Sequence, residues 1–507
     1  MKSTPAAAPL QPLSGLDGVF LHLETPATPM HVASLHLFEL PAGWRGDFHA
    51  DIKRLMAGRL RLAPVFTRRL APMPLQFANP AWIEEREVDL DWHVQRVTLR
   101  APGGQAELED MAAHLHGELL DRTRPLWRLY VIDGLPGGQA GYYIKVHHAV
   151  LDGQAGVLLA QALFDLTPKP RRPRVPRRGG LPAPAEPGMA ELAAAALEHD
   201  AGQYVRFMRH LPEVLRTLGG LVGAGSDAAA GRGQGGLGQN FALGPHTALN
   251  VPISHRRGFA AHSLPLAVLK EVAAAHEAKL NDVVLALASG ALRRWLARHG
   301  GIPAKPLVAA MPISLRAPGN TEYTTQATMS LVNLHTDIAD PVRRLHAIRD
   351  AAGAMKAFAG RARGILPTDF PSITLPWVLQ GLALAYGRSG LAGKLPPIAN
   401  LVISNVPGPQ VPLYAAGARM RSYWPLSIVE HGLGLNLTVM SYAGTLGFGF
   451  TTARDAVPDA AELSGALEVA FAELVRATER RAQRAATAAR RARGAAARPK
   501  RAAVRAK

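Results

Sequence analysis

Gly141-Tyr142-Tyr143-Ile144-Lys145-Val146-His147-His148-Ala149-Val150-Leu151-Asp152-Gly153 decides how this chain is read. The run up to Val146 is rich in β-branched and aromatic residues. A similar run, Trp127 to Ile132, precedes it across Gly134, Pro136, Gly137 and Gly138, so the two are expected to form a hairpin. Side chains alternate between the two faces of an extended chain, so His147 and His148 cannot both serve one substrate unless the strand breaks there. One imidazole is then structural. The other can take a proton from a hydroxyl near neutral pH and pass it to a leaving group, because a neutral imidazole titrates at about 6.5. Asp152 precedes the apolar run Val157, Leu158, Leu159, Ala162 and Leu163, where a helix N-cap belongs, and Gly153 and Gly156 would allow close backbone approach. Asp152 thus reads as an organiser rather than a reagent. Paired histidines alone are more often ordinary surface or core residues; the Asp-Gly at a strand-to-helix junction is what distinguishes this pair. A metal site is the weaker reading, since the chain has no HExxH and no cysteine.

HHxxxDG resembles the motif shared by chloramphenicol acetyltransferases, plant-type acyl-CoA acyltransferases, condensation domains of peptide synthetases and the bacterial wax ester synthase/diacylglycerol acyltransferases. The order of the remaining blocks selects the last of these. Leu13-Ser14-Gly15-Leu16-Asp17 with Phe20-Leu21 and Pro29-Met30-His31-Val32 is similar to that family's opening, and Arg124-Pro125-Leu126-Trp127 to its PLW block. Leu249 to Ile253, Asn281 to Ala286, Met311 to Arg316 with Gly319-Asn320, Ser404 to Pro409 and Leu435 to Val439 continue the likeness, which runs from about Leu13 to about Arg476. No DFGWG block appears, which argues against the plant-type branch, and Ser14-Gly15 stands where Ser-Pro is usual.

The resemblance implies an α/β fold of two chloramphenicol-acetyltransferase-like domains with mixed sheets and an active-site tunnel between them. It also implies an acyl-CoA-dependent O-acyltransferase, with acyl-CoA as substrate and no cofactor, and with diacylglycerol or a long-chain alcohol as acceptor. His148 would be the general base, with His147 positioning and Gly153 part of the motif turn. Asp152 would be structural and paired with Arg316 from the other domain. Asn281 would donate to the tetrahedral oxyanion, although an Asn before Asp282 and an apolar helix is equally what an N-cap looks like. The rival reading is a carrier-dependent condensation-like domain or a non-catalytic lipid-surface binding protein. A condensation domain would normally sit beside carrier and adenylation domains, for which this chain has no room.

At 507 residues the chain calls for two domains. The punctuation suggests an N-terminal domain at 1–167, then a Pro-, Gly- and Ala-rich linker at 168–244 with helical stretches from Ala190 to about Leu218. A C-terminal domain at 245–478 and a basic disordered tail at 479–507, or a loose helix there, would follow. The net charge of +18 is concentrated: Arg480 to Lys507 carries eleven basic residues and no acid, and Lys169 to Arg178 six more. The rest is almost neutral, so no specific nucleic-acid partner is indicated, and the tail reads as solvated or drawn to anionic lipid. The absence of cysteine excludes a thiol nucleophile, and prolines at positions 5, 9 and 12 break any secretory leader. A cytoplasmic protein, peripheral to the inner face of the plasma membrane or to lipid inclusions, is expected. Two uncharged stretches could be mistaken for membrane spans. Gly432 to Ala453 alternates as a hairpin, and Phe370 to Gly387, interrupted by Pro371, Pro376 and Gln380, favours a core helix from about Trp377 over a lipid-contacting one.

Overall fold

Antiparallel pairing of Trp127–Asp133 with Gln139–His147 forms the expected hairpin, with Trp127 opposite Val146 and Ile132 opposite Gly141. The turn is made by glycines in the left-handed region, Gly137 at φ 70° and Gly138 at φ 68°, which side chains rarely tolerate. This structure is a computed structural model that describes residues 11–71, 73–150, 153–171, 187–205, 209, 243–314, 327–362 and 375–496.

The hairpin lies inside a seven-stranded mixed sheet. Its path runs Tyr414–Ala415, Ala418–Met420, His31–Glu39, Gln139–His147, Trp127–Asp133 and Val94–Thr98, with Trp424–Leu426 also paired to His31–Glu39. Three of these strands come from beyond residue 410, so the later half of the chain completes the earlier half's sheet. The second, six-stranded sheet runs Ala327–Asn333, Val308–Ser314, Leu401–Val406, Leu435–Tyr442, Thr445–Ala453 and Arg257–Pro265. Leu401–Val406 is parallel to both of its neighbours, and Leu435–Tyr442 with Thr445–Ala453 is the second hairpin read from the sequence.

Each sheet has its own apolar core. Val283, Leu287, Leu292 and Trp295 of the helix Leu280–Arg298 pack on the second sheet with Leu463 and Leu467 of the helix Ala461–Ala496. The halves meet where Leu108 and Ala112, on the helix Gln105–Gly117, join Tyr143 and Leu35 to Phe259, Ala261 and Trp424. Gly141 permits that packing, since a Cβ there would lie 3.0 Å from Leu108 Cδ1. Glu109 of the same helix accepts the Ala261 N–H at 2.9 Å, and burial raises its pKa.

Three expectations need correction. The helix Ala461–Ala496 runs well past 479, because alanine, arginine and glutamine are strong helix formers and need no core to continue a helix nucleated by packing. Residues 189–205 are helical, as expected within the linker, but they are not only a connection: Leu192 and Ala196 are buried against Ala71, Met73, Ala78 and Ala81. The helix Leu375–Ser389 is not a core helix: Trp377 is 52% and Leu382 62% exposed, and Pro376 alone is fully buried in it. Among the described residues no helix is long and apolar enough to cross a membrane.

Candidate active site

The strand Gln139–His147 ends at the first motif histidine, and His148 opens a 3-10 turn through Val150, so the chain breaks between the two imidazoles. Register fixes that end. His147 sits opposite His31 in the neighbouring strand, and the next amide, His148 N–H, donates to Met30 O at 2.8 Å.

His147 is fully buried, with Nδ1 hydrogen-bonded and Nε2 facing a carboxylate. Its Nδ1 accepts the Ala149 N–H at 3.1 Å, which closes the turn around His148. A backbone amide always donates, so Nδ1 carries no proton and a neutral His147 must hold its proton on Nε2. Nε2 faces Glu24 Oε1 at 3.4 Å, an ion-pair distance rather than a well-aligned hydrogen bond. Glu24 is itself enclosed, its side chain 2% exposed, and it accepts Met30 N–H at 3.0 Å and Arg122 Nε and Nη2 at 3.1 and 2.8 Å. Burial alone would push the Glu24 carboxyl up, but the His147 ring, Arg122 and the Met30 amide together outweigh it and hold it at about 2.

His148 is only half-buried, and its ring stacks on Phe20 with centroids 4.0 Å apart and planes 18° from parallel. Phe20 projects from the helix Gly15–Leu23, which Ser14 caps by accepting the Asp17 N–H. The same sheet face beneath the motif is polar and buried. Lys145 Nζ donates to Leu115 O and Glu118 O, each at 2.6 Å, and His116 bonds Tyr143 Oη at 2.9 Å and Ser427 O at 3.0 Å. Burial first, and then neighbouring cations, push His31 well down and His116 to about 3, while burial lowers Lys145 to about 7.

The motif helix Gly153–Leu163 follows. Just past its end, buried Asp165 takes Arg59 Nη2 at 2.6 Å. Gly156 has open space where a Cβ would stand, so close approach is not its role. Asp152 and Arg316 lie outside the described residues. Asn281 does not cap its helix: Lys279 is the N-cap and Asp282, at the third helical position, accepts the Lys279 N–H at 2.8 Å. Asn281 instead sits in the first turn, where its Oδ1 accepts from Asn405 Nδ2 at 3.3 Å, leaving its own amide hydrogens as the donor side. Glu24, Arg122, Phe20 and Asn405 were not singled out from the sequence as site residues. A carboxylate next to the family's opening block was the available signal for Glu24. Among the described residues no cluster of three His, Asp or Glu side chains could hold a metal ion.

The wax ester synthase/diacylglycerol acyltransferase catalytic-domain model matches residues 13–284, and the C-terminal-domain model of the same family matches 325–475. This chain belongs to that family. It is similar to Rv1760 of Mycobacterium tuberculosis, provisionally named a diacylglycerol O-acyltransferase, with 34% identity across 94% of this chain and 92% of the relative. It is also similar to Rv3740c of that organism, with the same provisional name, at 35% identity across 92% and 99%. The solved wax ester synthase/diacylglycerol acyltransferase of Marinobacter aquaeolei VT8 superposes with a TM-score of 0.65 at 30% identity, over 92% of this chain and all of that one. The first condensation domain of the calcium-dependent antibiotic synthetase superposes at 0.51 with 16% identity over 93% and 97%, a likeness of fold alone. Membership in the wax ester synthase/diacylglycerol acyltransferase family makes the protein an O-acyltransferase of lipid biosynthesis, with acyl-CoA and an acyl acceptor as the implied substrates.

Proposed function

We propose that this protein transfers a long-chain fatty acyl group from CoA directly to the hydroxyl of diacylglycerol or a long-chain alcohol, giving triacylglycerol or wax ester, with His148 as general base. The observation that carries the reading is the division of labour between the two histidines. His147 is sealed and has Nδ1 committed to the Ala149 amide, whereas His148 is half-buried and oriented by Phe20. In the proposed reaction His148 takes the acceptor's hydroxyl proton as its oxygen attacks the thioester carbonyl. The tetrahedral intermediate collapses, the C–S bond breaks, and the proton passes from the imidazolium to the departing thiolate, giving ester and free CoA. The Asn281 amide hydrogens are the candidate oxyanion donors, a role supported by the bond from Asn405 that fixes which side of the amide accepts. Both acceptors are kept because the relatives' names carry both, diacylglycerol in the mycobacterial proteins and wax ester in the Marinobacter enzyme.

The test is purified protein with palmitoyl-CoA and either dioleoylglycerol or hexadecanol, following ester and free CoA. His148→Ala should lose nearly all turnover with little change in melting temperature, because the ring packs on Phe20 outside the buried apolar clusters. Retention of about half the wild-type kcat would refute the base assignment, since positioned general bases contribute about 10²–10⁴-fold. CoA release without dependence on added acceptor would refute direct transfer.

A further inference from the structure

The helix Leu375–Ser389 breaks a rule that surface helices obey. A helix lying on a protein is apolar toward the body and polar toward water, yet between Leu375 and Tyr386 Gln380 is the single polar side chain. Leu375, Leu379, Ala383 and Gly387, spaced four apart, form the partly buried stripe against the body. The other face leaves Trp377, Val378, Leu382, Leu384 and Tyr386 exposed, and Leu75, 86% exposed, extends the patch from the first half of the chain.

This face is held in place. Trp377 Nε1 donates to Leu75 O at 3.1 Å, and at the other end Gly387 lies so close to His431 that a Cβ would sit 2.8 Å from its Nε2. The helix also packs on Gly15–Leu23, the helix whose Phe20 stacks on His148. The charges exposed at the end of the helix are the cations Arg388 and Lys394, while Glu430, the carboxylate beside Tyr386, is half-buried and its pKa raised by that burial.

We propose that this patch docks the protein on an anionic phospholipid surface, with the helix lying in the interface and its C-terminal cations among the headgroups. A continuous aliphatic and aromatic face with so little hydrogen-bonding capacity suits acyl chains better than a protein partner, whose interface would carry about one hydrogen bond per 100–200 Å². The exposed cations Arg388 and Lys394 match lipid phosphates. The contact would put the lipid phase one helix away from the candidate base. This inference does not depend on the acyl-transfer reading, because docking requires no turnover.

The experiment is sedimentation of the full chain with phosphatidylcholine–phosphatidylglycerol vesicles, without acyl-CoA, in salt high enough to screen the basic tail. Val378→Asp/Leu382→Asp should reduce bound protein at least ~10-fold, with an unchanged melting temperature and unchanged turnover on detergent-dispersed substrate. If that pair lowers the melting temperature, Leu382→Ser, which adds no charge, should reduce binding in the same direction. Equal binding by wild type and variants would overturn the proposal, as would a wild-type protein that does not bind these vesicles at all. A dimer dissociated by the same substitutions, without vesicle binding, would assign the face to a second copy. A wild-type protein that binds the vesicles, with binding lost in the variants, but shows no turnover on dispersed substrate would count against the catalytic reading and leave this one standing.

Discussion

Glu24→Leu tests whether the carboxylate behind His147 sets the geometry of the site. The substitution keeps a side chain of similar bulk but strands three donors at once: the Met30 amide, the His147 Nε2 proton and the Arg122 guanidinium. Breaking a buried ion pair costs about 3–5 kcal/mol, and the lower end applies because the Arg122 side chain is 38% exposed and can regain water. The lowered pKa of Glu24 gives a second figure. The Glu24 carboxyl falls from an ordinary 4.5 to about 2 in the folded protein. The unfolded chain therefore binds the extra proton in that window. Glu24 contributes about 3 kcal/mol that is present above pH ~4.5 and lost as pH falls toward ~2.

The catalytic effect acts through position. With Nε2 unpartnered the His147 ring is no longer fixed, its Nδ1 bond to Ala149 loosens, and His148 shifts at the end of the strand. A displacement near 1 Å is enough to lower kcat about 10²-fold. Glu24→Leu should therefore lose about 3 kcal/mol in denaturant unfolding at pH 7 and about 100-fold in kcat, with KM for palmitoyl-CoA little changed. Glu24→Gln keeps an acceptor oxygen for Met30 and His147 and should recover most of the activity, while losing the acid-side stability window. The discriminating spectroscopic readout is ¹⁵N imidazole shifts. Wild type and Glu24→Gln should show His147 protonated on Nε2, and Glu24→Leu should show exchange between tautomers. A Glu24→Leu enzyme with wild-type kcat, measured well below its melting temperature, would refute the positioning argument.

Asn405→Ala should reduce kcat through the freed Asn281 amide, and Asn281→Ala should reduce it further, by about 10²–10³-fold if it donates to the oxyanion; equal, small effects would make the pair structural. Lys145, lowered to about 7 by burial, is protonated more readily in the unfolded chain, so wild-type stability should rise from pH ~7 toward ~10.5, and Lys145→Met should flatten that rise; parallel profiles would contradict it. Removing Arg480 to Lys507 should leave kcat on dispersed substrate unchanged, since Val475, which packs on the core, and Thr478, which bonds His276, both precede the cut, and should weaken vesicle binding at low salt only. Unchanged low-salt binding would reject an electrostatic role for the tail.

What the sequence revealed and what it withheld divide along contact range. The two hairpins were legible because their period-2 runs and glycine turns are local, and alternation left His147 and His148 able to share a substrate only if the strand broke between them, a condition that the 3-10 turn opening at His148 meets. The Leu280–Arg298 helix was legible from its apolar spacing, but its cap was displaced. Asn281 and Asp282 both favour N-caps, and the side chain that reaches back, Asp282, decided the start. The polar frame of the site follows no local pattern. Glu24 and Arg122 are 98 residues apart, and they converge on His147 because strand register sets His31 against His147 and brings the preceding segment with it. Nor did any periodicity announce that Ala418–Met420 and Trp424–Leu426 return to the first sheet, since strands of three residues are too short to show one. The exposed helix was misjudged for a related reason. A stretch that is apolar on every side looks alike whether protein or lipid covers it, and only its placement in the fold reveals which face has no protein against it.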